Sequence, residues 1–531
     1  MTQITERVDQ LFAEWDKPDS PGCALAVIKD GEIIYKRGYG MANLEHEIPI
    51  KPETIFDIGS TSKQFTALCI LLLVRHGKLS LDDPIQKYLP EMPEYDNPIS
   101  IRHLIYHTSG IRDYLGLMAL ANMTFENDYQ EEEVVRLIAS QKALNFKPGD
   151  EFLYSNSGYF LMSEIVQRVS GVNLREFAQK HIFGPLGMNN THFHNDFKMI
   201  VKNRASAYSP KEGGGFEIDM GIFDVIGDGA VYTSVEDLYL WDQNFYDNKL
   251  DGGGQDLIDE MHVQSILNDG EKHEYALGLT ISEYRGLKMV EHSGGWYGYR
   301  AQLVRFPEQR FSVICLANLG TIHPDVLSIS VADIYLEDQF TEIKEDVLKP
   351  GEAEFIQVSD EELQQVVGFY QNEESGAIYE IVLQEDVLSF EAMGMSFLIK
   401  PISSEHFHSF ETSSSIDIKI EKSLIHVFFS DGMFMETLKK MVKGTLSEEQ
   451  LQEYSGNYYS KELGITYNLK VDENKLIMSP KLQYLSPLKP TIKDLFSAGM
   501  ASFQFHRDIQ DRIIGFGINA GRVKDIRFEK V

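Results

Sequence analysis

Three short motifs stand in one order along the chain: Ser60-Thr61-Ser62-Lys63, Tyr154-Ser155-Asn156 and His292-Ser293-Gly294. Together they supply a hydroxyl, an amine, a phenol, an amide and an imidazole, which are the parts of a serine acyl-transfer site. A serine hydroxyl is a weak nucleophile at neutral pH and needs a base within hydrogen-bond reach. If a helix opens at Ser60, the three-residue spacing puts Lys63 on the same face, and a lysine whose surroundings favour the neutral amine can serve as that base. A phenolate at Tyr154, held near Lys63, can take the Ser60 proton or deliver one to the leaving group. Asn156 can bind a substrate amide, and Gly294 and Gly295 let a substrate approach a strand edge closely. The Gly295 N–H can then complete an oxyanion hole with the Ser60 N–H.

Each motif alone has a plainer reading. An isolated S-x-x-K match is usually a helix surface, Tyr154-Ser155-Asn156 reads equally well as a loop whose Asn156 or Ser157 caps the helix Tyr159 to Val169, and a lone His292 is usually structural. Context decides here. Ser60 follows the strand-like Ile55-Phe-Asp-Ile58 and precedes an apolar helix carrying Phe65, Leu68, Cys69, Leu72 and Leu73, so it sits at a buried helix N-terminus whose backbone N–H groups can hold an oxyanion. His292 follows the strand-like Leu287-Lys-Met-Val-Glu291.

The elements around these motifs alternate helical and strand patterns up to about residue 350, as in a mixed α/β domain. Near its start, Ala24-Leu-Ala-Val-Ile28, the turn Lys29-Asp30-Gly31 and Glu32-Ile-Ile-Tyr35 read as a hairpin at the edge of an antiparallel sheet. Gly227-Asp-Gly-Ala-Val-Tyr-Thr-Ser234 reads as a structural loop before a helix capped by Ser234. The pattern breaks at Leu348-Lys-Pro350-Gly351, and beyond it lies a duplication. Glu361, Leu363, Gly368, Tyr370, Gly376, Tyr379 and Leu388 recur 88 residues later as Glu449, Leu451, Gly456, Tyr458, Gly464, Tyr467 and Leu476, and Lys400-Pro401 and Phe407 recur 89 residues later as Lys489-Pro490 and Phe496. Each copy opens with a short helix (Asp360 to Val366, Ser447 to Glu453) and continues in short alternating runs, which predicts two small antiparallel β-barrels. The expected domains are 1–350, 359–445 and 446–531.

With 531 residues the chain exceeds what one core usually supports, and 43% hydrophobic against 24% charged residues is enough apolar material for compact domains. The 49 Lys and Arg against 81 Asp and Glu leave a net charge of −32, which repels phosphate backbones and anionic membranes at long range, so neither nucleic acid nor a membrane is expected as a partner. Cys23, Cys69 and Cys315 sit in apolar runs without metal-type spacing and read as core residues. His103 and His107, and His192 and His194, have paired spacing but no third ligand nearby, so neither a metal nor a cofactor is expected. The start lacks a basic and then apolar leader pattern and the longest apolar run, Ala67 to Val74, is too short to span a bilayer, from which a cytoplasmic location is expected.

The chain resembles the serine β-lactamase and penicillin-binding-protein superfamily in its class C-like branch. The resemblance rests on the three motifs and on Phe56-Asp-Ile-Gly-Ser60, Leu79 to Leu89, His107-Thr-Ser-Gly110 and Leu316-Ala-Asn318-Leu. It implies a β-lactamase/transpeptidase-like α/β (α+β) domain with a central antiparallel sheet, with Ser60 as nucleophile, Lys63 and Tyr154 sharing proton transfer, and Asn156 and His292 facing substrate. His107-Thr-Ser-Gly110 is taken as a helix end and turn supporting the cleft. Where many members place a lysine in the third motif, this chain has His292, which near neutral pH is largely uncharged and weakens recognition of a free carboxylate or β-lactam. The H-x-G form, the length and the two C-terminal barrels resemble three-domain D-aminopeptidases. The expected substrate is a small peptide, amide or ester, and a homo-oligomer is an open expectation. A β-lactamase, a D,D-carboxypeptidase or a carboxylesterase is the alternative within enzymes, and a lactamase-like protein that binds a ligand or partner without turnover is the alternative outside them.

Overall fold

The computed structural model describes residues 2–124, 127, 129–341, 355–372, 377–384, 387–392, 395–409, 416–421, 424–429, 434–441, 446–480, 487–499 and 501–531. The boundary expected at Leu348 to Gly351, and the repeat glycine Gly376, lie outside these residues. Two compact units form: Met1–Ile111, Phe125–Ala139 and Phe146–Ile343 make the first, and Arg112–Thr124, Ser140–Asn145 and Lys344–Val531 the second.

In the first unit a six-stranded antiparallel sheet runs in the order Thr280–Tyr284, Leu287–Trp296, Tyr299–Phe306, Phe311–Ala317, Cys23–Lys29, Glu32–Tyr39. The opening hairpin lies where the sequence puts it, with Glu32–Tyr39 as an edge strand and Cys23–Lys29 inside the sheet. Cys23–Lys29 and Phe311–Ala317 are buried almost throughout, as strands covered on both faces must be. On one face Val8 and Phe12 of helix Thr2–Phe12 and Leu327, Val331 and Ala332 of helix Pro324–Tyr335 pack on Leu25, Val27, Val313 and Cys315. Helix Val235–Asn244 is tied to the sheet by a buried ion pair from Arg305 Nε to Asp242 Oδ1 (2.7 Å), which also accepts the Ser312 hydroxyl (2.8 Å). Helix Lys63–Arg75 is buried on all sides from Lys63 to Leu73, which makes it the central helix of its layer, packed on Asn156–Ser170. The cysteines are free thiols in the core.

In the second unit each repeat forms eight antiparallel strands. The strands between Gly368 and Lys440 close into a barrel whose interior holds Tyr370, Tyr379, Leu388, Phe390, Ile418 and Val427. Those between Gly456 and Lys530 form an eight-stranded sheet that nearly closes, with the Leu488 N–H donating to the Leu476 carbonyl at 2.8 Å. The duplication is visible bond by bond. Tyr370 Oη donates to the Val366 carbonyl (2.6 Å) and Tyr458 Oη to the Tyr454 carbonyl (2.7 Å), while Lys440 donates to the Gln365 carbonyl and Lys530 to the Glu453 carbonyl. Gly368 (φ +147°) and Gly456 (φ +144°) are glycines in both copies because side-chain-bearing residues rarely adopt this φ, and the lysine Cε atoms lie close by, 3.3 and 2.7 Å from where a Cβ would stand. Also in this unit, the buried Arg112 donates to the carbonyls of Lys524 and Asp525 (both 2.9 Å), to Gln141 Oε1 (3.0 Å) and to Glu462 Oε1 (3.1 Å).

Candidate active site

The short strand Phe56–Asp57 pairs with Val231–Thr233 and delivers the chain into a tight turn. Asp57 Oδ1 accepts the Gly59 N–H at 2.8 Å, and Gly59 takes φ +48°. Residues Gly59–Ser62 then form a 3₁₀ turn, and the α-helix starts only at Lys63, not at Ser60 as the spacing suggests. The difference favours the pairing: a 3₁₀ turn eclipses residues i and i+3 more closely than an α-helix does. Lys63 Nζ donates to Ser60 Oγ at 3.0 Å, to Asn156 Oδ1 at 2.9 Å and to the Asp228 carbonyl at 2.5 Å, so three acceptors surround a group with no exposed surface. Burial, together with the neighbouring Asp228 carboxylate, pushes the Asp57 carboxyl up to about 7.

The second motif is fixed from behind. Ser155 occupies the N-cap position of helix Asn156–Ser170 with extended dihedrals, but its hydroxyl donates to the Ile111 carbonyl (3.1 Å) instead of capping the helix. The cap expected at Asn156 or Ser157 is therefore one residue or more too late, because Asn156 opens the helix and turns its amide to Lys63. His107, in the His-Thr-Ser-Gly segment after helix Ile101–Ile105, takes φ +57° and accepts the Ser155 N–H on Nδ1 at 3.0 Å. Its ring centroid lies 4.2 Å from that of Tyr154, and Lys63 Nζ stands 4.8 Å from the Tyr154 centroid on a ring face that attracts cations.

The third motif lies inside strand Leu287–Trp296. Its outer neighbour, Thr280–Tyr284, pairs only as far as Glu291, so from His292 onward that side of the strand turns to the Gly59–Ser62 turn. A Cβ on Gly294 would lie 2.0 Å from the Ile58 carbonyl oxygen and 2.9 Å from the Ser60 nitrogen, and one on Gly59 would lie 2.5 Å from the Gly295 nitrogen. Only glycines let these backbones meet. Thr61 Oγ1 adds a bond to the His292 carbonyl at 3.1 Å. Burial and the Lys63 charge push the His292 imidazole down to about 4.

All seven residues singled out from the sequence, Ser60, Lys63, Tyr154, Asn156, His292, Gly294 and Gly295, thus lie on three segments that converge. Tyr275 was missed: it is buried, and its hydroxyl lies 3.0 Å from His292 Nε2. Three residues on, Gly278 takes φ +69°, and a Cβ there would lie 2.5 Å from the Gln64 nitrogen, so this turn presses onto the start of the central helix. Of the paired histidines, His103 completes a capping box with Ser100, and His192 and His194 lie 3.3 Å apart beside Tyr232, both pushed down to about 4 by burial. Among the described residues no group of three or more His, Cys, Asp or Glu gathers as metal ligands, and no helix is long and apolar enough to cross a membrane.

Comparison with known proteins bears on this geometry. The Beta-lactamase family profile matches residues 8–332. A penicillin-binding protein of Bacillus subtilis (strain 168) is 31% identical over 325 residues, 57% of this chain and 69% of that protein. A D-aminopeptidase of Gluconobacter oxydans (strain 621H) is 30% identical over 299 residues, 56% of each, so the chain spans little more than half the length of that relative. The solved octameric penicillin-binding protein homologue from Pyrococcus abyssi is 27% identical with a TM-score of 0.59, covering 82% of this chain and 99% of that one.

Proposed function

This chain belongs to the Beta-lactamase family, and from that premise we propose that it is a serine hydrolase cleaving amide or ester bonds through an acyl-enzyme on Ser60, in the manner of a D-aminopeptidase or D,D-peptidase. What carries this reading is the 3.0 Å separation of Lys63 Nζ and Ser60 Oγ beneath the Gly59, Gly294 and Gly295 backbone. The Ser60 hydroxyl loses its proton to the Lys63 and Tyr154 pair as Oγ attacks the carbonyl carbon, and the Ser60 and Gly295 N–H groups stabilise the oxyanion. The same pair returns the proton to the leaving amine or alcohol, and water then releases the acyl group by the reverse route. Asn156 holds Lys63 and lies where a substrate amide would pass.

The uncharged His292 supports substrates without a carboxylate at the third motif over β-lactams. Small peptides, amides or esters as substrates, a cytoplasmic setting and a homo-oligomer belong to the same proposal; the octameric Pyrococcus abyssi homologue supports the last. The test is a paired assay of wild type and Ser60→Ala on D- and L-alanine p-nitroanilides, a p-nitrophenyl ester and a chromogenic cephalosporin. Turnover of the D-anilide that disappears with Ser60 is the expected result. Unchanged hydrolysis by Ser60→Ala overturns the mechanism.

A further inference from the structure

His292 has both ring nitrogens close to protein groups. Nδ1 lies 2.6 Å from the Ser293 carbonyl oxygen, and Nε2 lies 3.0 Å from the Tyr275 hydroxyl. A carbonyl oxygen only accepts, so Nδ1 at that distance carries the proton, and in the neutral ring Nε2 must then accept from Tyr275. Tyr275 is itself held firmly. Its N–H donates to His273 Nδ1 (3.2 Å), its carbonyl accepts the Ser265 N–H (3.0 Å), and its ring centroid lies 4.6 Å from that of His107, which in turn holds Ser155 and packs on Tyr154. One side chain thereby touches the supports of both the second and the third motif.

We propose that Tyr275 is a positioning residue that, by donating to Nε2 of the Nδ1–H tautomer set by the Ser293 carbonyl, holds His292 neutral and so keeps the third-motif strand seated against Gly59 and Ser60. This rests on the reading of Ser60 as nucleophile. The groups facing the imidazole are Lys63 from the central helix, Tyr154 from the second-motif loop and Tyr275 from its turn, with Tyr159 and His107 behind them; Glu291 precedes it on the strand and bonds to Gln302. Protonation of His292 would add a second cation near Lys63 and oblige the Tyr275 hydroxyl to turn from donor to acceptor. The lock therefore matters to the reaction on the acid side of the pH profile.

The experiment combines nitrogen-15 NMR of the histidine side chains with the pH dependence of kcat/KM, on the full chain. His292 is assigned by loss of its signals in His292→Gln, and Tyr275→Phe removes only the hydroxyl. Wild type is expected to show neutral Nδ1–H His292 from pH 8 to about pH 5, and Tyr275→Phe the same tautomer at pH 8 but protonation at higher pH, with the acid limb of kcat/KM moved toward the ordinary histidine range. In that variant kcat is expected to fall about tenfold with KM nearly unchanged, the loss expected from one hydrogen bond. A merely structural role would lower thermal stability without moving the His292 titration or the limb. An Nε2–H or charged His292 in wild type at pH 7 overturns the proposal even if Tyr275→Phe fails to fold, and so does a Tyr275→Phe variant with wild-type His292 titration and limb. Because the tautomer is read without substrate, failure here is separable from failure of the Ser60 mechanism, which Ser60→Ala reads alone.

Discussion

Gly59 and Gly295, 236 positions apart in sequence, meet backbone to backbone: a Cβ on Gly59 would stand 2.5 Å from the Gly295 nitrogen and 2.9 Å from its carbonyl carbon and oxygen. Gly59 also sits at φ +48°, a region that costs other residues about 1–3 kcal/mol. Gly59→Ala is therefore expected to lower stability by at least about 1 kcal/mol and, by pushing the strand away from the Ser60 turn, to cut kcat by about 100-fold, the scale of losing one oxyanion donor. Thermal unfolding and kcat on the same preparation check both parts. Wild-type kcat in the variant would mean that the two N–H groups do not act as a hole.

Lys63 donates to Ser60 Oγ, Asn156 Oδ1 and the Asp228 carbonyl from a site with no exposure, so its removal tests chemistry and support together. Lys63→Arg keeps the charge but offers a guanidinium that does not release its proton, in a space shaped for an ammonium. Its kcat is expected to fall by at least about 1,000-fold, in keeping with the loss of proton transfer between the serine, Tyr154 and the leaving group. Active-site titration with a fluorophosphonate probe gives the measurement: Ser60 should label far more slowly in the variant. Equal labelling rates would remove Lys63 from proton transfer.

How much of this could be read from the sequence depends on the range of the interaction. Ser60 and Lys63, or Gly368 and Gly456, are legible because a local turn or an internal repeat writes them as fixed spacings. The 3₁₀ start of the central helix was not legible, since it follows from the Asp57 to Gly59 bond and the strand seated on Gly59. Tyr275 was missed for the same reason: its partner His292 is 17 residues away across a turn, and no periodicity marks the pair. Nor does any pattern announce that residues 112–124 group with the C-terminal repeats, because the Arg112 bonds to Lys524 and Asp525 cross more than 400 positions.

Asp57 makes the pH dependence of stability testable. Its carboxyl is pushed up to about 7 in the folded chain from an ordinary 3.8, chiefly by burial. Between those values the folded state holds a proton that the unfolded state has released, so this contribution is complete below about pH 4 and is lost as pH rises through 7. Asp57→Asn keeps an oxygen for the Gly59 N–H and removes the titration. It is expected to match wild type near pH 4 and to be more stable by about 2–4 kcal/mol at pH 8. Urea denaturation at pH 4, 6 and 8 reads the difference, and a gap that does not widen with pH would show that Asp57 stays ionised when folded.

The twin tyrosines test whether the two C-terminal repeats hold themselves together alike. Tyr370 is 2% exposed and Tyr458 is fully buried, and each donates to a carbonyl four residues back, Val366 and Tyr454. Replacing either by phenylalanine keeps the ring in its core and leaves a buried carbonyl short of one donor. The cost of each substitution is expected to be about 1–2 kcal/mol. The two bonds lie in separate repeats with no shared partner, so their effects should add within about 0.5 kcal/mol. Chemical denaturation of Tyr370→Phe, Tyr458→Phe and the double variant supplies the cycle. A double variant that loses much more than the two singles combined would mean that the repeats unfold as one cooperative body and that each tyrosine supports the other's barrel.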